Sequence, residues 1–268
     1  MKNFKFSTLE YKRPDLEAHR AQLAAWKDAV ERAESYDALR ELLFEIDRVN
    51  CELFTQYSVA HIRHTLDTRD EFYEAEISYL QDTLPTLGGA EVALSEAIAS
   101  GRFRADIERE FGKEYFVSSD MQKKLYCEAN IPLRQQESRL TNEYQKIMAT
   151  AEINFDGKTL NLYGLQKYFE HADRAVRAAA VKAYSKFYES NEPRLEEIWS
   201  ELISIRNDMG RNLGYENYIP VGYLEQGRTD YGEKEVASFR EQVRKFLVPL
   251  CSKLYDAQAK RLGIDHVM

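Results

Sequence analysis

The sequence predicts a mainly α-helical protein. Only 12 Gly and 6 Pro punctuate 268 residues. The long stretches between them are rich in Ala, Leu, Glu, Lys and Arg, which favour helix intrinsically. Within those stretches apolar residues recur at three-, four- and seven-residue intervals, the period of one helix face.

Leu16, Leu23, Trp26 and Val30 line one face of a first helix, which Pro14 is expected to open because its missing N–H is not needed in a first turn. Ser35 or Asp37 starts a second helix of about 30 residues carrying Leu39, Leu42, Ile46, Val49, Leu53, Tyr57 and Ala60, a length at home in a helical hairpin. Thr68 followed by Glu71 fits a capping box, with Tyr73, Ile77, Leu80 and Leu84 running helically to Pro85. Gly88-Gly89 is expected to break the pattern before a short helix, and Gly101 and Gly112 to stop further ones. Asp120 to Thr150 reads as helix, bent or broken near Pro132. Ala151–Leu162 departs from this rhythm. Ile153 and Phe155 alternate, as do Leu160 and Leu162, across Asp156-Gly157, whose turn needs positive φ at both residues. One small β-hairpin is predicted near 152–162. Helices resume over 173–188, and a separate one is expected to start at Asn191-Glu192-Pro193. A loop-rich element over Gly210–Gly232 precedes a last helix over 234–262 with Pro249 inside it.

Composition bounds the function. Lys+Arg 37 against Asp+Glu 45 leaves a net charge of −8, which argues against a nucleic-acid surface. A 44% hydrophobic content supplies a full core. No apolar run approaches the roughly 20 residues that span a bilayer, and Met1–Tyr11 does not read as a signal peptide. Cys51, Cys127 and Cys251 are few, distant and odd in number, which suits reduced thiols in a cytoplasm.

Few residue patterns suggest chemistry. His61 and His64 at i, i+3 could hold a metal. The stronger reading makes His64 the continuation of the Tyr57–Ala60 stripe at the core's edge, with no acidic or Cys ligand spaced to complete a set of three. Asp156-Gly-Lys-Thr159 superficially resembles a phosphate loop but lacks its first glycine, and the hairpin accounts for every residue. Gly210–Gly232 is richer, with five glycines and four tyrosines. There Tyr223, Arg228, Asp230 and Tyr231 offer rings, hydroxyls and charge suited to gripping peptide backbone. An ordinary inter-helix loop, its tyrosines packing neighbouring helix ends, explains the same residues and on physics alone is slightly ahead.

At this segment a resemblance enters. Leu213-Gly-Tyr-Glu-Asn-Tyr218, Gly222-Tyr223, Gly227-Arg-Thr-Asp-Tyr231 and Val236-Ala-Ser-Phe-Arg-Glu-Gln-Val243 resemble the oligoendopeptidase F family, zinc metallopeptidases related to thimet oligopeptidase. Leu9-Glu-Tyr-Lys-Arg-Pro-Asp15, Asp70-Glu-Phe-Tyr-Glu74, Ile153-Asn-Phe-Asp-Gly-Lys158, Asp173-Arg174 with Arg177, and Ala183-Tyr184 agree, in order along the whole chain. The resemblance implies a helical, channel-forming, zincin-like fold, short oligopeptide substrates and cytoplasmic peptide turnover; charge and hydropathy, not the resemblance, point to no nucleic-acid and no membrane partner. It also implies zinc held by a His-Glu-x-x-His helix and a downstream glutamate, with the first glutamate activating the metal-bound water. No His-Glu-x-x-His occurs in this sequence: the five histidines precede Arg20, Ile62, Thr65, Ala172 and Val267. In the family that motif comes later than Met268.

The expectation is therefore the N-terminal part of a zinc metallo-oligopeptidase. A helical hairpin region over 1–112 would be followed by a second helical region, 113–268, leading toward a catalytic domain absent from this chain. The chain alone is expected to bind no catalytic zinc, to be inactive, and to self-associate through an apolar edge bared at its end. The alternative reading is a non-catalytic helical protein that binds peptides or serves as a scaffold.

Overall fold

A computed structural model describes residues 5–267. The chain divides between Tyr218 and Ile219 into two compact units.

In the first unit, α1 (Leu16–Arg32) starts at Asp15, whose carboxylate accepts from the Ala18 N–H at 2.9 Å. Pro14 therefore lies one residue before the cap rather than inside the first turn. The predicted stripe Leu16, Leu23, Trp26 and Val30 is buried. α2 (Tyr36–Leu66) is capped by the Ser35 hydroxyl, settling the choice between Ser35 and Asp37. It buries Leu39, Leu43, Ile46, Val59, Ala60 and His64. α3 (Glu71–Thr83) starts at Asp70, not at the expected Thr68 box. Residues 67–70 turn off the end of α2, and the Asp70 carboxylate accepts from both Phe72 and Tyr73 N–H groups, more than a Thr hydroxyl would satisfy.

Gly88-Gly89 does not break a helix. After a 3₁₀ turn over Leu84–Leu87, α4 (Gly88–Ser100) begins at Gly88 itself. The Tyr126 ring lies so close that a Cβ on Gly89 would stand 2.6 Å from its hydroxyl, so these glycines serve ring packing. α5 (Arg104–Phe111) and α6 (Glu114–Leu125) follow, with Gly101 and Gly112 closing α4 and α5 as expected. The chain breaks over 126–130, and α7 (Ile131–Ala149) carries Pro132 in its first turn. Leu16, Trp26, Leu43, Ile77, Leu80, Leu94, Ile107 and Phe116 belong to one buried core that joins α1 to α6.

β1 (Ile153–Phe155) and β2 (Lys158–Leu160) form the predicted hairpin, pairing Ile153 with Leu160 and Phe155 with Lys158. Asp156 and Gly157 take φ of 52° and 70°, as that turn requires. Leu162 does not extend β2. The Asn161 carbonyl oxygen of its side chain caps Gly164 at 2.8 Å and Leu162 opens α8 (Leu162–Gln166), which buries Leu162 and Leu165 beside Ala180.

The largest departure is α9 (Arg174–Asn212), a single 39-residue helix running through Pro193 where two helices were expected. Proline removes the donor to the Glu189 carbonyl. Glu189 is exposed, so water can replace that donor. Asn191 Nδ2 meanwhile donates to the Phe187 carbonyl at 2.8 Å. Immediately after the proline, Arg194 grips Glu143 of α7 with two bonds of 2.6 Å. Antiparallel α7 and α9 are held again by Arg206 on Glu137 at 2.7 Å and by Asn130 Nδ2 on the Met209 carbonyl at 3.2 Å. Leu140, Ile198, Ile205 and Met209 fill the seam.

The second unit contains α10 (Ile219–Glu225), which interrupts the expected loop, α11 (Glu233–Gln242) and α12 (Val248–Leu262). A π-helical turn over Val243–Leu247 joins the last two into one run. Its wider turn accommodates Pro249, which has no N–H for the Lys245 carbonyl. Among the described residues no helix is long and apolar enough to cross a membrane.

Gly210, buried near the end of α9, would place a Cβ 2.5 Å from the Asn217 carbonyl oxygen. Gly210→Ala is expected to destabilise the chain by about 1–3 kcal/mol, the usual cost of overpacking, read as a lower urea midpoint. An unchanged midpoint would show that the 213–217 turn yields freely.

Candidate functional site

Of the four residues singled out in the Gly210–Gly232 segment, the structure brings three together. Gly227, at φ 65°, turns the chain after α10, and the Arg228 N–H donates to the Tyr223 carbonyl at 3.0 Å. The Arg228 guanidinium thereby lies 5.0 Å from the Tyr223 ring centroid and 5.8 Å from that of Tyr231, within cation–π range of both. Asp230 stands apart. Its carboxylate accepts from the Thr229 hydroxyl at 3.3 Å and makes no ion pair with Arg228. The arrangement leaves guanidinium N–H groups available to a carbonyl or carboxylate, beside the half-exposed Tyr231 ring. Tyr215 and Tyr218 of the same sequence segment belong to the first unit.

The two histidines are not brought together as ligands. His61 stacks on Tyr57, the rings 3° from parallel and 5.9 Å apart. His64 is buried, and its Nε2 lies 2.7 Å from Glu74 Oε2. The other Glu74 oxygen accepts from Lys146 Nζ, joining α2, α3 and α7 at one junction. Burial opposes ionisation of Glu74, but its bonds with Lys146 and His64 prevail and hold the carboxyl below the usual range. Glu74 stands in the Asp70–Glu74 stretch, but its partners come from other helices and no spacing could have announced them. Nearby, Glu76 is buried and accepts from the Tyr11 hydroxyl at 2.7 Å and from Arg13. Arg13 and Tyr11 likewise hold its carboxyl low. Among the described residues no three His, Cys, Asp or Glu side chains are grouped to hold a metal ion. The three cysteines are free thiols.

A further feature escaped sequence reasoning. Along α9, beside α7, runs an open groove of about 1150 Å³. Tyr144, Tyr184, Tyr188 and Trp199 line it, with Glu189, Glu192 and Glu196. The Tyr184 and Tyr188 hydroxyls share a 3.1 Å hydrogen bond, which, with burial, pushes the Tyr188 hydroxyl up to about 12. Trp199 is 67% exposed. The helix break expected at 191–193 cut this stripe in two, and only an unbroken α9 places it on one face.

Comparison with known proteins adds three likenesses. Residues 6–126 match the family described as the Peptidase M3 N-terminal domain. The chain is similar in structure to PZ peptidase A with an inhibitor, at 33% identity and TM-score 0.93 over 97% of this chain and 46% of that one. It resembles a protein provisionally named oligoendopeptidase F at 35% identity and TM-score 0.93, over 98% of this chain and 46% of the other. Another so named, from Bacillus anthracis str. Ames, shares 28% identity at TM-score 0.94, with 98% and 48% covered. The chain thus spans a little under half the length of the structures it matches. No curated protein matches at a significant level.

The Glu74 junction carries a pH signature. A carboxyl held low in the folded state contributes stability that is full above its unfolded value near 4.3 and fades as pH falls through the folded value. Glu74→Gln is expected to cost about 1.5–3 kcal/mol at pH 7, the worth of charge-assisted hydrogen bonds, and less at pH 3. Urea midpoints at the two pH values read the difference. An equal loss at both would mean the charge of Glu74 is irrelevant.

Proposed function

Because the chain is an M3, oligoendopeptidase F-like family member corresponding to the N-terminal portion of that fold, we propose that it forms the peptide-facing helical half of a cytoplasmic zinc metallo-oligopeptidase that hydrolyses internal bonds of short peptides. The observation that carries this is likeness at 33–35% identity over nearly the whole chain to a peptidase and to an oligoendopeptidase F.

Zinc is the cofactor the family implies, and this chain's own donors do not fit it. A hydrolytic zinc needs three protein ligands around an open position. The two nearest candidates, His61 and His64, are committed to a ring stack and to Glu74, and among the described residues no group of three donors forms. Zinc would polarise the peptide carbonyl and activate water in the parent enzyme, so no hydrolytic step falls to these residues.

Their part is recognition. Tyr223 and Tyr231 would offer apolar contact, Arg228 would donate to a peptide carbonyl or terminal carboxylate, and Asp230 would meet a peptide amine or N–H. Tyrosine suits such work because its large ring has few torsions to immobilise.

An internally quenched peptide tests the reading. The purified 268-residue chain is expected to produce no chelator-sensitive cleavage and to bind the uncleaved peptide, with Arg228→Met weakening that binding several-fold. Cleavage lost on chelation would overturn the assignment of catalysis to residues elsewhere. Peptide binding indifferent to Arg228→Met and Tyr223→Ala would leave the segment a structural loop and favour a scaffold.

A further inference from the structure

The unbroken α9 presents two rows of glutamates with opposite fates. Glu197 and Glu201 face Arg194, at 2.9 and 3.8 Å, and share its single charge with Glu143. Glu189, Glu192 and Glu196, at i, i+3 and i+7, line the α7–α9 groove and form no ion pair among the described residues. The one cation among the groove's lining residues is Arg206, already bound to Glu137. A row of unneutralised carboxylates beside four aromatic rings is a surface complementary to positive charge carried on an apolar backbone.

We propose that this groove binds an extended, basic peptide segment. Its lining runs from Tyr184 to Arg206, which at 1.5 Å per helical residue is about 33 Å, the span of roughly ten residues of extended chain. Along α9, Glu192 and Glu196 stand about 6 Å apart, close to the ~6.7 Å repeat of side chains on one face of a strand. Basic residues two positions apart would therefore meet Glu192 and Glu196, while Glu189, about 4.5 Å from Glu192 along the axis, extends the negative row. The stems of those residues would lie along Tyr188 and Trp199. This site shares no residue with the Arg228 cluster, which suits an anionic or carbonyl partner, and does not depend on that reading.

Trp199 supplies the readout, since Trp26 is the only other tryptophan and is buried at 2% exposure. The 268-residue chain would be titrated with a decapeptide alternating Lys and Leu, and with its Glu and Leu counterpart. Anisotropy of the labelled peptides would be followed alongside Trp199 emission. The basic peptide is expected to bind saturably and to shift the emission, with affinity falling as salt rises. Glu189→Gln, Glu192→Gln and Glu196→Gln together should weaken it about tenfold, since each exposed charge pair contributes at most a few-fold. Trp199→Phe should abolish the emission change while anisotropy still reports binding. Equal binding of the acidic peptide, full affinity in the triple glutamine variant, or no saturation would overturn the proposal. So would a dimer, seen in sedimentation and lost in the triple variant, because the occupant would then be a second copy.

Discussion

The clamp between α7 and α9 is the constraint on which the most informative part of the first unit depends. A proline inside a helix costs about 3 kcal/mol, and α9 carries Pro193 near its middle without ending there. What offsets that cost lies off the helix. Arg194 meets Glu143 bidentately one residue past the proline, and Ile198 and Ile205 then bury against Leu140. Arg206 on Glu137 and Asn130 on the Met209 carbonyl fix the far end. Fork-to-carboxylate geometry gives direction as well as energy, so α9 is held in register with α7 along four turns beyond the proline.

The continuity of α9 determines what its surface can present. Because Tyr184, Tyr188, Glu192, Leu195 and Trp199 follow one another at three- and four-residue steps on one uninterrupted axis, they line a single groove. Arg194 simultaneously pairs with Glu197 and Glu201 on a neighbouring face. One arginine therefore both secures the helix across its weakest point and decides which glutamates stay available to a ligand. Burying Ile198 while leaving Trp199 out in solvent is a consequence of the same rotation.

Local chemistry was legible in the sequence, and what depended on distant partners was not. The helical class, the apolar stripes of α1 and α2, the stops at Gly101 and Gly112, and the Asp156-Gly157 turn all rest on residues close together in the sequence. Gly88-Gly89 read as a break because the Tyr126 ring that requires two hydrogens there lies 37 residues away. Pro193 read as a helix start because its offsetting partner, Glu143, is on another helix. The same limit governs the site. The closeness of Tyr223, Arg228 and Tyr231 follows from a short turn, so the segment could be picked out. The partnership of His64, Glu74 and Lys146 spans three helices and could not.

That distribution bears on what kind of work this half of the fold does. A general base must be free to take a proton near neutral pH and lie within reach of a substrate. Glu74 and Glu76 are the reverse case: each is enclosed by cationic or hydroxyl donors that lower its affinity for a proton, and each ties one element to another. Their electrostatics are spent on holding α2, α3, α7 and the Tyr11–Arg13 segment together. Glu189, Glu192 and Glu196 are instead exposed, in a row, and beside aromatic rings. Glu74 and Glu76 are thus arranged to tie elements of the fold together. Under the reading proposed above, the exposed row would act on a peptidase's reaction by fixing where the backbone lies before any bond is attacked.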